Sequence, residues 1–399
     1  MNTIGIGLTL VAVVVWIGLL ALRGQFWRCD QRLPKTAPDL DTFPPVHVVI
    51  PARNEADMLP LTLPSLLQQD YPGLMQIILV DDQSSDGTAD VARSLASGLN
   101  QPERLTIITT TPLPPGWTGK LWAMEQGVRQ SSQMEPLPDY WLFTDADIEH
   151  DRQNLRRLVA HAQHHQLDLA SLMVQLRCQS WWERLLIPAF VFFFQKLYPF
   201  RWVNDPDRST AAAAGGCILI RRDALLRIGG IQALKQALID DCALAQAVKS
   251  TGCRSAGTGR LWLGLSTTTR SLRPYPSLGT IWDMVARTAF TQLNYSPWLL
   301  LATLLGMILV YIVAPGGAIV GLITGDLLLT IVGTLGWLLM TIAYLPTVRL
   351  YGCHPLWAVY LPGIAGLYTL ITLDSALRHW QGRGSAWKGR VYPKVHSAR

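Results

Sequence analysis

Two carboxylates one residue apart, Asp145 and Asp147, follow the apolar run Tyr140-Trp-Leu-Phe-Thr144. That run predicts a short buried strand. Ligands of an open α/β sheet bind beyond the carboxyl ends of its strands. In extended chain, side chains at i and i+2 point the same way, so both carboxylates face one ligand. Two hard oxygen donors suit Mg²⁺ or Mn²⁺ shared with substrate phosphates. Taken alone, the pair also fits a ligand-free loop that favours Asp. Lys120 follows Gly119 near a predicted helix start. Backbone N–H groups and an ammonium there attract a diphosphate, a solvated lysine being the plainer reading. His161, His164 and His165 fall on one helical stretch, 151–166, and read as an exposed face rather than a metal cluster.

The elements that must hold these residues alternate in type. Val46-His-Val-Val-Ile50 reads as a strand and runs into Pro51-Ala-Arg-Asn-Glu-Ala56. Leu59, Leu63, Leu66 and Leu67 then share one helical face. Gln76–Val80 is a second strand, ending in Asp81-Asp-Gln-Ser-Ser-Asp-Gly-Thr88, where another helix begins. Leu105–Thr109 is a third strand, Thr118 can N-cap the helix that carries Lys120, and 169–176 is a further strand. Alternating strands and helices predict an α/β fold with a parallel-type sheet and crossovers. No internal repeat and no Gly-x-Gly-x-x-Gly is present, which argues against a dinucleotide site.

The chain has 399 residues and 49% hydrophobic content, unevenly spread. Residues 4–22 carry no charge, and between Trp298 and Thr372 the charged side chains are Asp326 and Arg349. Such runs are long enough to cross a bilayer at about 20 residues each. The first reads as an uncleaved anchor rather than a signal peptide, since no Lys or Arg precedes it and no A-x-A site follows. The net charge of +6 sits beside the apolar segments: Arg23, Arg28 and Arg32 after the first, and Arg378, Arg383, Lys388, Arg390, Lys394 and Arg399 in the tail. That distribution fits an anionic cytoplasmic leaflet and places the middle of the chain in the cytoplasm, at an inner membrane. No basic run is interleaved with aromatics, so a nucleic-acid groove is excluded. The six cysteines (Cys29, Cys178, Cys217, Cys242, Cys253, Cys353) contain no C-x-x-C and read as reduced thiols.

Three motifs, each at a predicted strand end, together carry a resemblance: Val-Ile-Pro-Ala-Arg-Asn-Glu (49–55), Val-Asp-Asp-Gln-Ser-Ser-Asp-Gly-Thr (80–88) and Thr-Asp-Ala-Asp (144–147). They resemble the family 2 glycosyltransferases of GT-A fold, a Rossmann-like nucleotide-sugar-binding domain. Pro-Gly-Trp-Thr-Gly-Lys-Leu-Trp-Ala (115–123) is similar to the membrane-bound branch that includes the hopene-associated glycosyltransferases, over roughly 45–297.

The resemblance implies that Pro51, Ala52, Arg53 and Glu55 line the nucleotide pocket. It implies that Asp82 accepts the imide N–H of uracil, favouring a UDP-sugar. It puts Asp147 on the metal, with Asp145 toward both ribose and metal. Gly215-Gly-Cys-Ile-Leu-Ile-Arg-Arg222 looks like the acceptor-side strand, its glycines, Gly215 and Gly216, allowing close approach. Asp240-Asp241 resembles the family's Glu-Asp motif, Asp240 standing where the family has Glu and Asp241 matching the general base. The Gln-x-x-Arg-Trp motif of processive relatives is absent around Trp282 and Arg287, which argues against a polymer synthase.

The expected organisation is an anchor over 1–24, a cytoplasmic catalytic domain over 25–297, a membrane region over 298–376 and a basic tail over 377–399. The aromatic stretch 180–202, broken by Pro188, reads as an interfacial element that guides a lipid acceptor, or else as a buried core helix. Apolar runs at 298–324, 327–348 and 355–376 make three crossings and put the tail outside, whereas its basic residues argue for inside. A re-entrant third run, or a split of the first at Pro315-Gly-Gly317, would reconcile the two. The expected activity is inverting transfer of a sugar to a lipid hydroxyl, a hopanoid being one candidate. The alternatives are a polyprenyl-phosphate sugar synthase, a non-catalytic glycan-binding scaffold and a small transporter, the last disfavoured by nearly charge-free spans.

Overall fold

The structure is a computed structural model that describes residues 2–36, 40–252 and 257–382, with 386–387 and 390–391. Cys253 and most of the expected basic tail lie outside the described residues. By packing, the chain divides into two compact units, one of Asp30–Arg177 with Trp202–Pro274 and one of Met1–Cys29, Cys178–Arg201 and Tyr275–Ser385.

The first unit is built on eight strands: β1 (Val46–Ala52), β2 (Met75–Asp81), β3 (Leu105–Thr109), β4 (Tyr140–Thr144), β5 (Ile148–Glu149), β6 (Leu169–Gln175), β7 (Cys217–Arg221) and β8 (Leu261–Ser271). Their order is β3-β2-β1-β4-β7-β6-β8-β5. β1 runs parallel to both β2 and β4, while β7 is antiparallel to β4 and β6. The sheet is therefore Rossmann-like on one side and mixed on the other. β1 is buried along its whole length and β4 likewise, as expected of strands covered on both faces.

Helices cover the sheet as the leucine spacing predicts. Leu59, Leu63, Leu66 and Leu67 of the helix Leu59–Leu67 are all buried in the core with Val48, Ile50, Ile77 and Leu79. The helix Gly119–Ser131 starts on Thr118, whose hydroxyl accepts from Leu121 N at 3.4 Å. It lies tight against the sheet because Gly127 has no side chain: a Cβ there would come within 2.4 Å of Val49 Cγ1.

The second unit is helical. Among the described residues, four helices are long and apolar enough to cross a membrane: Thr3–Leu22, Pro297–Thr324, Leu327–Leu350 and Pro355–Trp380. Their outward residues are apolar, with Leu322 75% and Ile323 78% exposed, a pattern suited to lipid. Inside the unit small residues let backbones meet. A Cβ on Gly333 would lie 2.3 Å from Ala318 N, and one on Gly317 would lie 2.7 Å from Thr9 Oγ1.

The prolines do not break these helices as the sequence suggests. Pro315 removes the hydrogen bond to the carbonyl four residues earlier, and a π-helical turn, Ile308–Ile312, takes up the mismatch just before it. Pro355 and Pro362 fall in first turns, where no N–H is required. Trp181–Leu197 is likewise one helix through Pro188, started by a Ser180/Glu183 capping box. Leu186, Ile187 and Phe192 on it are buried, and the Tyr368 hydroxyl donates to Leu186 O at 2.9 Å.

Candidate active site

The loops after β1 and β2 are zipped together. Asn54 N donates to Ser84 Oγ (2.9 Å), Ser85 N to Asn54 Oδ1 (3.0 Å), Glu55 N to Thr88 Oγ1 (2.9 Å) and Ala56 N to Asp86 Oδ2 (3.0 Å). Asn54 takes a left-handed φ of 51°, a conformation that Asn tolerates better than most side chains. Burial pulls Asp86 upward, but donors from Thr88 and Ala56 outweigh it and leave its carboxyl below the usual range. Pro51 and Ala52 are buried at the end of β1. Arg53 Nη1 donates to the Asp82 carbonyl at 2.5 Å and lies 3.8 Å from Asp82 Oδ2. Asp82 is 0% exposed and its Oδ1 accepts from Thr110 Oγ1 at 2.9 Å.

A second cluster surrounds Lys120. Its ammonium lies 2.8 Å from Asp145 Oδ1 and 3.4 Å from Asp240 Oδ2. Burial works against the lysine charge, but Asp145 and Asp240 together outweigh it and raise the pKa. Asp145 is raised by burial and by the charge of Asp147, with Lys120 pulling the other way. The Asp241 carboxylate accepts from Gly215 N (2.9 Å) and from Cys242 N (2.7 Å). Burial, then the charge of Asp240, pushes it up to about 6. Pro51, Lys120, Asp145, Gly215, Asp240 and Asp241 line one pocket, floored by Leu121, Met124, Ile218 and Leu244.

Sheet topology explains this meeting. β4 and β7 are antiparallel with Thr144 opposite Cys217, so the exit of one and the entry of the other share an edge. Asp145 and Gly215-Gly216 are therefore neighbours. The Thr144 hydroxyl donates to Gly216 O at 2.8 Å. That uses its proton, so His150 Nε2, 2.9 Å away, is the donor between them, and Asn154 supplies the proton to His150 Nδ1 (3.1 Å). Burial lowers the His150 pKa to about 3, and the neutral ring braces the turn from behind.

A third cluster, absent from the sequence reading, centres on Arg273. Its Nη2 donates to both Glu55 oxygens (2.7 and 2.6 Å), and its Nε donates to Asp147 Oδ2 (3.2 Å), which also accepts from Ser271 Oγ at 2.9 Å. A basic residue just after β8 is the available signal, but Arg270 and Arg273 look alike in sequence. Asp145 and Asp147 are also not in extended chain. Ile148 N donates to Asp145 O at 3.3 Å, a turn, and the two carboxylates point to different cationic partners, Lys120 and Arg273. They still feel each other's charge. Both carboxylates carry the hard oxygen donors that a divalent ion takes, and each is here balanced by a protein cation, Lys120 or Arg273. Among the described residues no group of three His, Cys, Asp or Glu forms a closed metal site. His161 is buried against Trp262, ring centroids 4.4 Å apart, rather than exposed, because its side of the helix packs on β8. Trp122 is buried, its indole donating to Thr111 O at 3.1 Å.

This mixed sheet with acidic loops at the carboxyl ends of β1, β2 and β4 is a Rossmann-like GT-A core. Residues 47–229 match the model of the family described as Glycosyl transferase family 2. The mannosyltransferase PcManGT from Pyrobaculum calidifontis, solved with GDP-Man and Mn²⁺, shares the fold at a TM-score of 0.58 and 17% identity, over 94% of this chain and 99% of that one. Among curated proteins, a 4,4'-diaponeurosporenoate glycosyltransferase of Staphylococcus haemolyticus is 33% identical over 109 residues, 27% of this chain and 26% of that protein. The probable glycosyltransferase YdaM of Bacillus subtilis is 28% identical over 131 residues, 32% of this chain and 30% of that protein. The chain thus matches less than a third of the length of either relative.

Proposed function

We propose that this protein is a membrane-anchored, inverting glycosyltransferase that moves a sugar from a nucleotide sugar to a lipid hydroxyl. The observation that carries the reading is the Lys120-centred pocket, in which Asp145, Asp240 and Asp241 converge at the carboxyl edge of the sheet. Asp241 is the base of this proposal. It takes the proton of the acceptor hydroxyl as that oxygen bonds to the anomeric carbon, and the bond from that carbon to the diphosphate breaks on the opposite face. A carboxyl whose pKa is raised toward neutrality suits that task better than an ordinary surface acid. Gly215 leaves room beside it, a Cβ there meeting Lys120 Nζ at 3.3 Å and Asp241 Oδ2 at 3.4 Å.

The donor side comprises Pro51, Ala52, Arg53, Glu55, Asp82 and Lys120. Lys120 turns from Asp145 to the diphosphate, and Asp82 recognises a uracil imide, which makes the donor a UDP-sugar. Asp145 and Asp147 would hold Mg²⁺ or Mn²⁺. When bound, such an ion supplies charge neutralisation for the departing diphosphate. Gly215, Gly216 and Asp240 face the acceptor. The relatives named for diaponeurosporenoate support a lipid-like acceptor, and the four apolar helices support a membrane setting. Residues 1–24 act as anchor, 25–297 as the catalytic domain in the cytoplasm, with 180–202 against the lipid boundary, and 298–376 as the membrane region. The basic trio Arg23, Arg28 and Arg32 favours the cytoplasmic side.

The test is turnover. Detergent-purified protein given UDP-sugars, Mn²⁺ and a lipid extract is expected to release UDP and yield a glycolipid of inverted anomeric configuration. Metal-independent release, or none with any nucleotide sugar in folded protein, would refute the proposal.

A further inference from the structure

Cys178 and Cys353 are separated by 175 positions in sequence, yet their sulfurs face each other at 3.7 Å. Cys178 precedes the capping box of the helix Trp181–Leu197, and Cys353 lies in the turn between Leu327–Leu350 and the segment that starts at Pro355. The approach does not rest on one pair of atoms. Trp181 and Trp357, close by on the same two segments, also meet, with ring centroids 6.0 Å apart. Closing 3.7 Å to a covalent S–S distance of about 2 Å needs side-chain rotation and small backbone adjustment. Both thiols are partly exposed, whereas Cys29, Cys217 and Cys242 are buried.

We propose that Cys178 and Cys353 form an intramolecular disulfide, a reversible oxidation site that staples the start of one helix to the turn between two others. The oxidant is a small-molecule disulfide of the oxidised glutathione type. The Cys353 thiolate attacks one sulfur of that disulfide, forming a mixed disulfide and releasing one thiolate. Cys178 then loses its proton and attacks Cys353 Sγ, expelling the second thiolate. Two protein thiols are oxidised and one small disulfide is reduced to two thiols. The order follows from the contact itself. The hydrogen bond between the two sulfurs is the main cause that brings the Cys353 pKa down to about 7, while the same contact raises Cys178. The more ionised thiol attacks first.

The staple is independent of the catalytic proposal and is tested without activity. Full-length protein in detergent is equilibrated with mixtures of oxidised and reduced glutathione, denatured, alkylated and digested with trypsin. The expected product joins peptide Cys178–Arg184 to peptide Leu350–Arg378, disappears with dithiothreitol, and is absent from Cys178→Ser and Cys353→Ser. Oxidation is expected to raise the melting temperature by about 5 °C in the parent and not in either variant. Each variant is first shown to melt like the reduced parent, which separates loss of the bond from loss of the fold. Full alkylation of both cysteines under the most oxidising mixture, or linkage only between chains, would overturn the proposal.

Discussion

Arg273 Nε donates to Asp147 Oδ2 across 3.2 Å, while the same guanidinium holds both oxygens of Glu55. One cation thus joins the loop after β1 to the turn after β4. Glu55 is 5% exposed, so removing this guanidinium takes a charge partner away from a buried carboxylate. Arg273→Ala is expected to cost about 3 kcal/mol, at the low end for a buried pair because the arginine is itself 27% exposed. Arg273→Lys should recover part of that. Thermal unfolding of the two variants side by side checks it.

Asp147→Ala bears on the metal. Thermal-shift titration with UDP should give a Mn²⁺-dependent rise for the parent, about 2.7 kcal/mol of stabilisation at a hundredfold excess over Kd. The variant, compared with its own metal-free melt because it also loses the Arg273 ion pair, should lose the Mn²⁺-dependent part. An undiminished Mn²⁺ response would remove Asp147 from the metal site.

Asp241→Asn separates two acceptor chemistries. With a hydroxyl acceptor, loss of the base should lower kcat by about 10²–10⁴ with little change in donor KM. A phosphate acceptor arrives already ionised and needs no such base, so a loss of less than tenfold would shift the reading toward a polyprenyl-phosphate sugar synthase.

Two pH effects follow from the same carboxyl. Its folded pKa, about 6, lies above the ordinary value of 3.8. The base is competent only when ionised, so kcat/KM should fall about tenfold per pH unit below that value. For stability the sign is opposite: the folded state binds this proton more tightly than the unfolded state. Its contribution is therefore full below pH 3.8 and is lost as pH rises through about 6. Asp241→Asn should accordingly raise the melting temperature relative to parent more at pH 7.5 than at pH 4, read by two melts at each pH.

Gly127→Ala and Gly215→Ala should fail differently. The first drives a methyl into Val49 and Val80 between helix and sheet, costing about 1–3 kcal/mol. The second meets the flexible end of Lys120 and the Asp241 carboxylate, so its melting temperature should change less while kcat falls further. Paired melting and turnover measurements compare them.

Local pattern made much of this legible. The alternation of strands and helices, the leucine face of Leu59–Leu67, the Thr118 cap and the acidic strand ends are properties of short stretches, and the structure has them. Arg273 was not legible, because its partner Asp147 is 126 positions away and no local period marks such a pairing. The turn at Ala146 was hidden for the opposite reason. Extended geometry was the natural continuation of β4, but the bond from Ile148 N to Asp145 O bends the chain at once. Pro188 and Pro315 were misleading because a helix packed among others can lose one hydrogen bond and continue.

The ladder between β4 and β7 behaves as a gauge for tolerated change in length. Sliding either strand by one residue would carry Asp145 about 3.4 Å from Gly215 and turn every side chain on that strand to the other face. Insertions or deletions inside Tyr140–Thr144 or Cys217–Arg221 should therefore abolish the pocket even where the fold survives. Only the connecting loops of the intervening chain, outside β5, β6 and the segments that hold Asp145, Asp147, Gly215 and Gly216, can lengthen or shorten without moving either end of the gauge, and variation among relatives of this protein is expected to collect there.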